Sequence, residues 1–176
     1  LTQKIITKQI ENTTGEIIWH PNNKIIFYTV LDTNHRPNKI FAHEIGSNPA
    51  NDQLIYEEKD AAYFCYPSLS QSKDYLLIRT GDHQTSEYWF SQINDYKNIQ
   101  CFKKRTDREE YEIDHANGIF YILNNLGECK NFKVSTAEPS DINEWEDYVK
   151  YNPKHLLLDF TVLKKWFIWF QRVDGL

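Results

Sequence analysis

Only six glycines, three cysteines and no methionine occur among the 176 residues, and these shortages remove whole classes of chemistry. The glycines stand at positions 15, 46, 81, 118, 127 and 175, so the chain holds no Gly-x-Ser-x-Gly nucleophile elbow, no phosphate-binding loop and no dinucleotide fingerprint. Cys65, Cys101 and Cys129 are odd in number and far apart, which argues against a disulfide framework or a zinc knuckle. They read as reduced thiols in or near sheets. His20, His35, His43, His83, His115 and His155 never fall at His-x-x-x-His spacing, so neither a metal site nor a cofactor is expected. No apolar run approaches the roughly 18 residues of a spanning helix, and the N-terminus does not resemble a signal peptide, so no membrane partner is expected. Lys and Arg are dispersed and the net charge is -5, which argues against nucleic acid. The expected setting is soluble, reducing and cytoplasmic.

What the chain does have is apolar and aromatic content, 40% and 15%, enough for a packed core. That content is periodic. Four times, at intervals of roughly 47 residues, a turn marked by Lys24, Asp74, Gly118 or Lys165 precedes an apolar run. The runs are Ile25 to Tyr28, Tyr75 to Ile78, Ile119 to Ile122 and Trp166 to Trp169. A strand with one face in water alternates, whereas a strand apolar at every position must be covered on both faces. Radially stacked sheets supply that cover, and polarity rising along each unit places its last strand outermost. The predicted fold is therefore all-β: a partial β-propeller of about three complete four-stranded antiparallel blades and an incomplete fourth.

The units run over about 16–58, 63–105, 110–151 and 155–176, with residues 1–15 supplying a strand, Lys4 to Ile10, from a preceding blade. In the first unit the predicted strands are Glu16 to His20, Ile25 to Leu31, Lys39 to Ile45 and Gln53 to Glu58, separated by Pro/Asn/Gly-rich turns. In the third, the connection from Thr136 to Glu144, containing Pro139, is predicted to be the longest. Two segments also fit helical spacing, Ser140 to Val149 and Leu163 to Phe170; their place in the repeat favours strand. A first residue that is Leu1 rather than an initiating methionine, and an ending at an expected turn, read as a piece of a longer protein. Such a piece should expose apolar faces and self-associate.

No catalytic residue is assigned. Asp82-His83, followed by Ser86, and Asp114-His115 put carboxylates beside imidazoles, yet neighbours on a strand point to opposite faces, and turn residues satisfying backbone groups are the simpler reading. Glu57 to Asp60 and Asp107 to Glu110 read as solvated linkers.

Particular phrases carry a resemblance. Ile18 to Lys24, Asp32 to Pro37, Ala42 to Gly46, Ile55 to Asp60, Thr85 to Trp89, Glu110 to His115 and Thr136 to Trp145 resemble, in one register, the propeller of the oligopeptidase B (protease II) branch of the prolyl oligopeptidase family. That resemblance implies a serine peptidase cleaving short peptides after Arg or Lys, with a seven-bladed propeller capping an α/β-hydrolase domain. It also implies that the catalytic Ser, Asp and His lie outside these residues, leaving the chain inactive alone. The implied partners are the hydrolase domain of the same polypeptide and oligopeptide substrates. The loops Asp32 to Asn38, Thr80 to Glu87 and Asn124 to Lys130 share one face, and Arg36, His83 and Glu87 on it are candidate interdomain residues. A stand-alone propeller binding protein partners is the alternative; the chain lacks the Trp-Asp and paired-glycine marks of common interaction propellers.

Overall fold

The computed structural model describes residues 9–174, and these form three four-stranded antiparallel sheets and a two-stranded one. The first sheet is a simple meander of β1 (Thr13–Trp19), β2 (Ile25–Leu31), β3 (Pro37–Glu44) and β4 (Gln53–Glu57). The second repeats it with β5 (Phe64–Leu69), β6 (Tyr75–Gly81), β7 (Ser86–Gln92) and β8 (Gln100–Lys103). The third is β9 (Tyr111–Ala116), β10 (Ile119–Asn124), β11 (Lys133–Glu138) and β12 (Asp141–Val149); the fourth contains β13 (His155–Leu163) and β14 (Trp166–Val173). This is the predicted all-β propeller architecture, open rather than closed.

Tyr75 to Ile78 and Ile119 to Ile122 are sandwiched as expected, whereas the Trp166 to Trp169 run, on the last described strand, is largely exposed. Leu76 and Ile78 pack back against Phe27, Ile40 and Ile55 of the first blade, while Tyr75 and Leu77 on the other face join Phe120 and Ile122 of the third. Tyr121 and Leu123, alternating with those two, turn instead to Leu157, Phe160 and Val162. The period-2 pleat thus feeds a separate core on each side of every inner blade. Burying a Leu or Phe this way contributes about 1.5–3 kcal/mol each, so the seams between blades hold the structure.

Local chemistry closes the inner hairpins in two ways. Between β1 and β2, and again between β5 and β6, a wider loop closes with Asn23 or Lys73 at φ 58° or 64°. Between β9 and β10, Asn117 and Gly118 both have positive φ, 53° and 88°, the two-residue geometry that matches strand twist.

The structure departs from the sequence reading at some element bounds and agrees with it at the ambiguous segments. The segment from Thr136 to Glu144 is not the longest connection: β11 continues to Glu138 and β12 begins at Asp141, because Thr136 and Ala137 pair with Tyr121 and Phe120. Only Pro139 and Ser140 turn the chain, and the longest described strand-to-strand connections are the eight residues 45–52 and the eight residues 125–132. β1 starts at Thr13 instead of Glu16, its pairing with β2 irregular between Thr13 and Ile17 where Gly15 takes φ 84°. The strand expected from Lys4 to Ile10 lies mostly outside the described residues; Gln9 and Ile10 are not in a strand. Both segments with a helical alternative are strands.

Candidate functional site

A meander puts the β2–β3, β6–β7 and β10–β11 loops at the same end of the blades as the connections that cross from one blade to the next. That end carries a dense set of charged and polar contacts. In the first two blades an aspartate organises the loop. The Asp32 carboxylate accepts from the backbone N–H of Asn34 (2.8 Å) and Arg36 (3.0 Å), and Asp82 accepts from Gln84 and Thr85 (both 2.8 Å). These are side-chain turns of the kind Asp favours, and the backbone N–H bonds hold both carboxyls below their usual range. Gly81 is required at the β6 edge of this loop, since a Cβ there would sit 2.2 Å from the Thr85 carbonyl oxygen.

Arg36 reaches out of its loop to tie down the crossing from blade one to blade two. Its guanidinium donates to the carbonyls of Asp60 (2.9 Å), Tyr63 (2.6 Å) and Glu58 (3.3 Å) while its Nε pairs with Asp32 at 3.0 Å. The fork geometry of arginine suits such multiple capping.

Beside it lies a buried charge network that spans the seam. Glu58, just past β4, accepts from Thr80 Oγ1 (2.5 Å), from the Asp60 N–H (2.9 Å) and from Arg105 Nη2 (2.6 Å). Arg105, just past β8, also meets Glu87 at 3.4 Å and lies over the Tyr63 ring, 4.1 Å from its centre. Glu87 in turn accepts from Trp89 Nε1 (2.8 Å) and the Arg105 N–H (2.9 Å). Burial pushes the Glu58 carboxyl up, but the Thr80, Asp60 and Arg105 donors outweigh it and hold the group below its usual range. Two carboxylates share one guanidinium, and all three have partners within the chain.

The three residues singled out from sequence therefore stand at one end of the blades in different states. Arg36 and Glu87 are engaged inside the chain, whereas His83 is exposed at the tip of its loop. Arg105 and Glu58, not singled out from sequence, turn out to be the hub. The one signal available was their position, immediately after the last strand of successive units.

The two carboxylate–imidazole pairs form no relay. The Asp82 carboxylate is occupied by its loop, and Ser86 is buried with its hydroxyl donating to the Tyr111 carbonyl (2.7 Å) and accepting from the Tyr111 N–H (2.6 Å). Asp114 accepts from the Gln71 and His115 N–H groups, both at 2.7 Å, and His115 Nδ1 faces Ser72 at 2.8 Å. Burial raises the Cys65 thiol to about 12 and the Cys101 thiol to about 11, so neither is an activated nucleophile. Burial, helped by Asp159, also raises the Glu112 carboxyl on the innermost strand β9.

Comparison with known proteins gives the architecture a lineage. Residues 2–176 match the family described as prolyl oligopeptidase, N-terminal beta-propeller domain. Protease 2 of Moraxella lacunata is 26% identical over 99% of the chain, a match covering 26% of that protein. Oligopeptidase B from Trypanosoma brucei, in a closed form with covalently bound antipain, superposes with a TM-score of 0.90 at 25% identity, over 95% of this chain and 24% of the other. Oligopeptidase B from Leishmania major gives 0.89 at 23% identity, over 94% and 24%. The chain spans about a quarter of the length of these relatives. Extending over essentially all of its residues, the match shows that this chain belongs to the N-terminal β-propeller domain family of the prolyl oligopeptidases.

Proposed function

We propose that this chain is the noncatalytic propeller portion of an oligopeptidase B-like serine endopeptidase that cleaves short peptides after Arg or Lys. The observation that carries this is the collinear match of 99% of the chain to about a quarter of a Protease 2. In this reading the chain is inactive alone, the reacting groups sit on a hydrolase domain of the same cytoplasmic polypeptide, and the blades act by geometry. A stiff ring over the active site admits an oligopeptide, rejects a folded protein and limits bulk water. The apolar seams and the buried Glu58–Arg105–Glu87 network support such stiffness.

The end of the blades bearing Arg36, His83 and Glu87 is the side turned to the hydrolase domain. Of the three, His83 is free to make the contact; Arg36 and Glu87 act by holding the loops that present it. The test compares the 176-residue chain with the full-length polypeptide on a short Arg-containing peptide and on a folded protein carrying the same bond. Full-length protein should cut the peptide and spare the folded substrate, with the chain alone silent. Hydrolysis by the chain alone, or a full-length gene product without a hydrolase domain, sinks the proposal; the latter would favour a stand-alone interaction propeller.

A further inference from the structure

At the opposite end of the blades from Arg36 and Arg105, two histidines grip blade two from either side. His20 follows β1, and its Nε2 meets the Ile93 carbonyl of blade two at 3.1 Å, across a sequence separation of 73 residues. His115 lies on β9, and its Nδ1 meets Ser72 in the blade-two hairpin at 2.8 Å, while the Ser72 N–H donates to the His115 carbonyl at 2.9 Å. Strand pairing explains the opposite directions. His115 pairs with Phe120, as Trp19 pairs with Ile26, whereas His20 lies one residue beyond Trp19. One step along a pleated strand reverses the side chain, so one ring faces forward and the other back.

Both contacts are satisfied by a neutral ring. The Ile93 carbonyl can only accept, so His20 Nε2 carries a proton; the Asn22 N–H donates to Nδ1 at 3.0 Å, so that atom carries none. A second proton would meet the Asn22 N–H head on. Around His115 the protons can be counted. Ser70 Oγ accepts from the Tyr75 N–H (3.1 Å), Ser72 Oγ accepts from the Asp74 N–H (3.1 Å), and the two hydroxyls are 3.0 Å apart. With His115 neutral, Ser70 donates to Ser72 and Ser72 donates to Nδ1, and every proton has an acceptor. Protonated Nδ1 would donate to Ser72, Ser72 would turn to Ser70, and the Ser70 hydroxyl, 2% exposed, would lose its acceptor.

We propose that these two histidines are proton-sensitive latches, so that acidification loosens both seams of blade two at this end of the propeller. The charged and titratable groups around them are few. His115 is packed between Tyr75 (ring centres 4.6 Å apart) and Phe120 (4.9 Å), with the Asp74 carboxylate of blade two at 3.9 Å and Asp114 beside it on β9. Burial lowers the His115 ring below the usual histidine value and outweighs the opposing pull of Asp74, of a hydrogen bond to the Gly118 backbone and of Asp114. His20 faces the rings of Phe27 at 6.2 Å and Tyr96 at 6.0 Å, with Glu44 acting on the Tyr96 hydroxyl. For His115 the direction is fixed: a lowered histidine leaves the latch intact above the unfolded value near 6.5 and releases it as pH falls through the lower folded value.

The test is amide exchange, corrected for intrinsic pH dependence, at the N–H groups of Ser72, Gln71 and His20, which bond to His115 O, Asp114 Oδ1 and Ile25 O. It is run on the intact polypeptide carrying this segment. Between the ordinary histidine value of about 6.5 and the lowered folded value of His115 the local opening constant should rise toward tenfold per pH unit for one latch, and this slope should vanish in the His20→Gln/His115→Gln double variant. The ring titration of His115 in unmodified protein, followed by NMR, needs no variant and should lie below the usual histidine value. Protection that stays flat down to about pH 5, a slope that survives in the double variant, or a His115 ring titrating at or above the ordinary value would each overturn the proposal.

Discussion

Replacing Arg105 with methionine tests whether the seam network carries the energy its geometry implies. The change keeps most of the apolar stem and removes the guanidinium, leaving Glu58 and Glu87 with side chains only 4% and 7% exposed and no cation between them. Removing one partner of a buried pair costs roughly 3–5 kcal/mol. Arg105 itself is 22% exposed, so water reaches part of the vacated site and roughly 2–3 kcal/mol is the better figure. With a urea slope of about 2 kcal/mol/M, the unfolding midpoint should fall by about 1–1.5 M near neutral pH.

The pH dependence separates this cause from simple loss of packing. Glu58 has a lowered pKa in the intact network, so its stabilisation is present above the ordinary glutamate range and disappears as pH falls through the lowered value. Without Arg105, burial is opposed only by the Thr80 and Asp60 donors, so the carboxyl sits higher than in the intact network and gains more from protonation. The deficit of the variant should therefore shrink on acidification to about pH 4, and a cycle with Glu58→Gln should show coupling of about 1–2 kcal/mol. A deficit below about 1 kcal/mol near neutral pH, or one that is equal at both pH values, refutes the reasoning.

Three further outcomes follow from the same structure. Phe120→Ala empties the centre of the seam between blades two and three and should destabilise by about 3–5 kcal/mol, read as a shift in the urea midpoint with little change in slope. Gly81→Ala forces a Cβ to within 2.2 Å of a backbone oxygen and should destabilise by about 1–3 kcal/mol; a neutral effect in thermal unfolding would show that the Asp82 loop yields without strain. Trp166 and Phe170, 71% and 55% exposed on β14, should drive association of the isolated chain, so light scattering should rise with concentration and fall for Trp166→Ser/Phe170→Ser.

How far these features were legible in sequence depended on whether they were local. Ile119 to Ile122 is apolar without a break, and that alone demands cover on both faces; β10 has it. The Asp32 loop and the Asn117-Gly118 turn carry their chemistry within a few residues, and both form where their residue types lead one to look. The run from Thr136 to Glu144 misled because its polar residues suit either a loop or an outermost strand in water, and only pairing with Phe120 and Tyr121 decides. The Glu58–Arg105 pair was invisible for a related reason. The partners lie 47 residues apart, Glu58 in a short charged stretch that looks like a solvated linker and Arg105 at the end of the next unit, and only the stacking of the blades brings them together.

That misreading bears on how the molecule works. A solvated linker would let neighbouring blades tilt, but the crossing from blade one to blade two is closed by the Arg36 guanidinium on three carbonyls and by Glu58 on Thr80 and Arg105. The far end of the same seam is held by the His20 contact to Ile93, and its middle by Phe27, Leu76 and Ile78. Restraint at both ends and the middle removes hinge motion between the two blades without needing any single strong bond. The histidine contact lies at only one of those ends, and the Glu58 carboxylate at the other protonates only in stronger acid, so mild acid should open the seam from the histidine side while the Arg36 side stays shut. An outward tilt about the arginine end is the motion this arrangement leaves available, and amide protection should be lost first at His20 and Ser72 and last at Glu58.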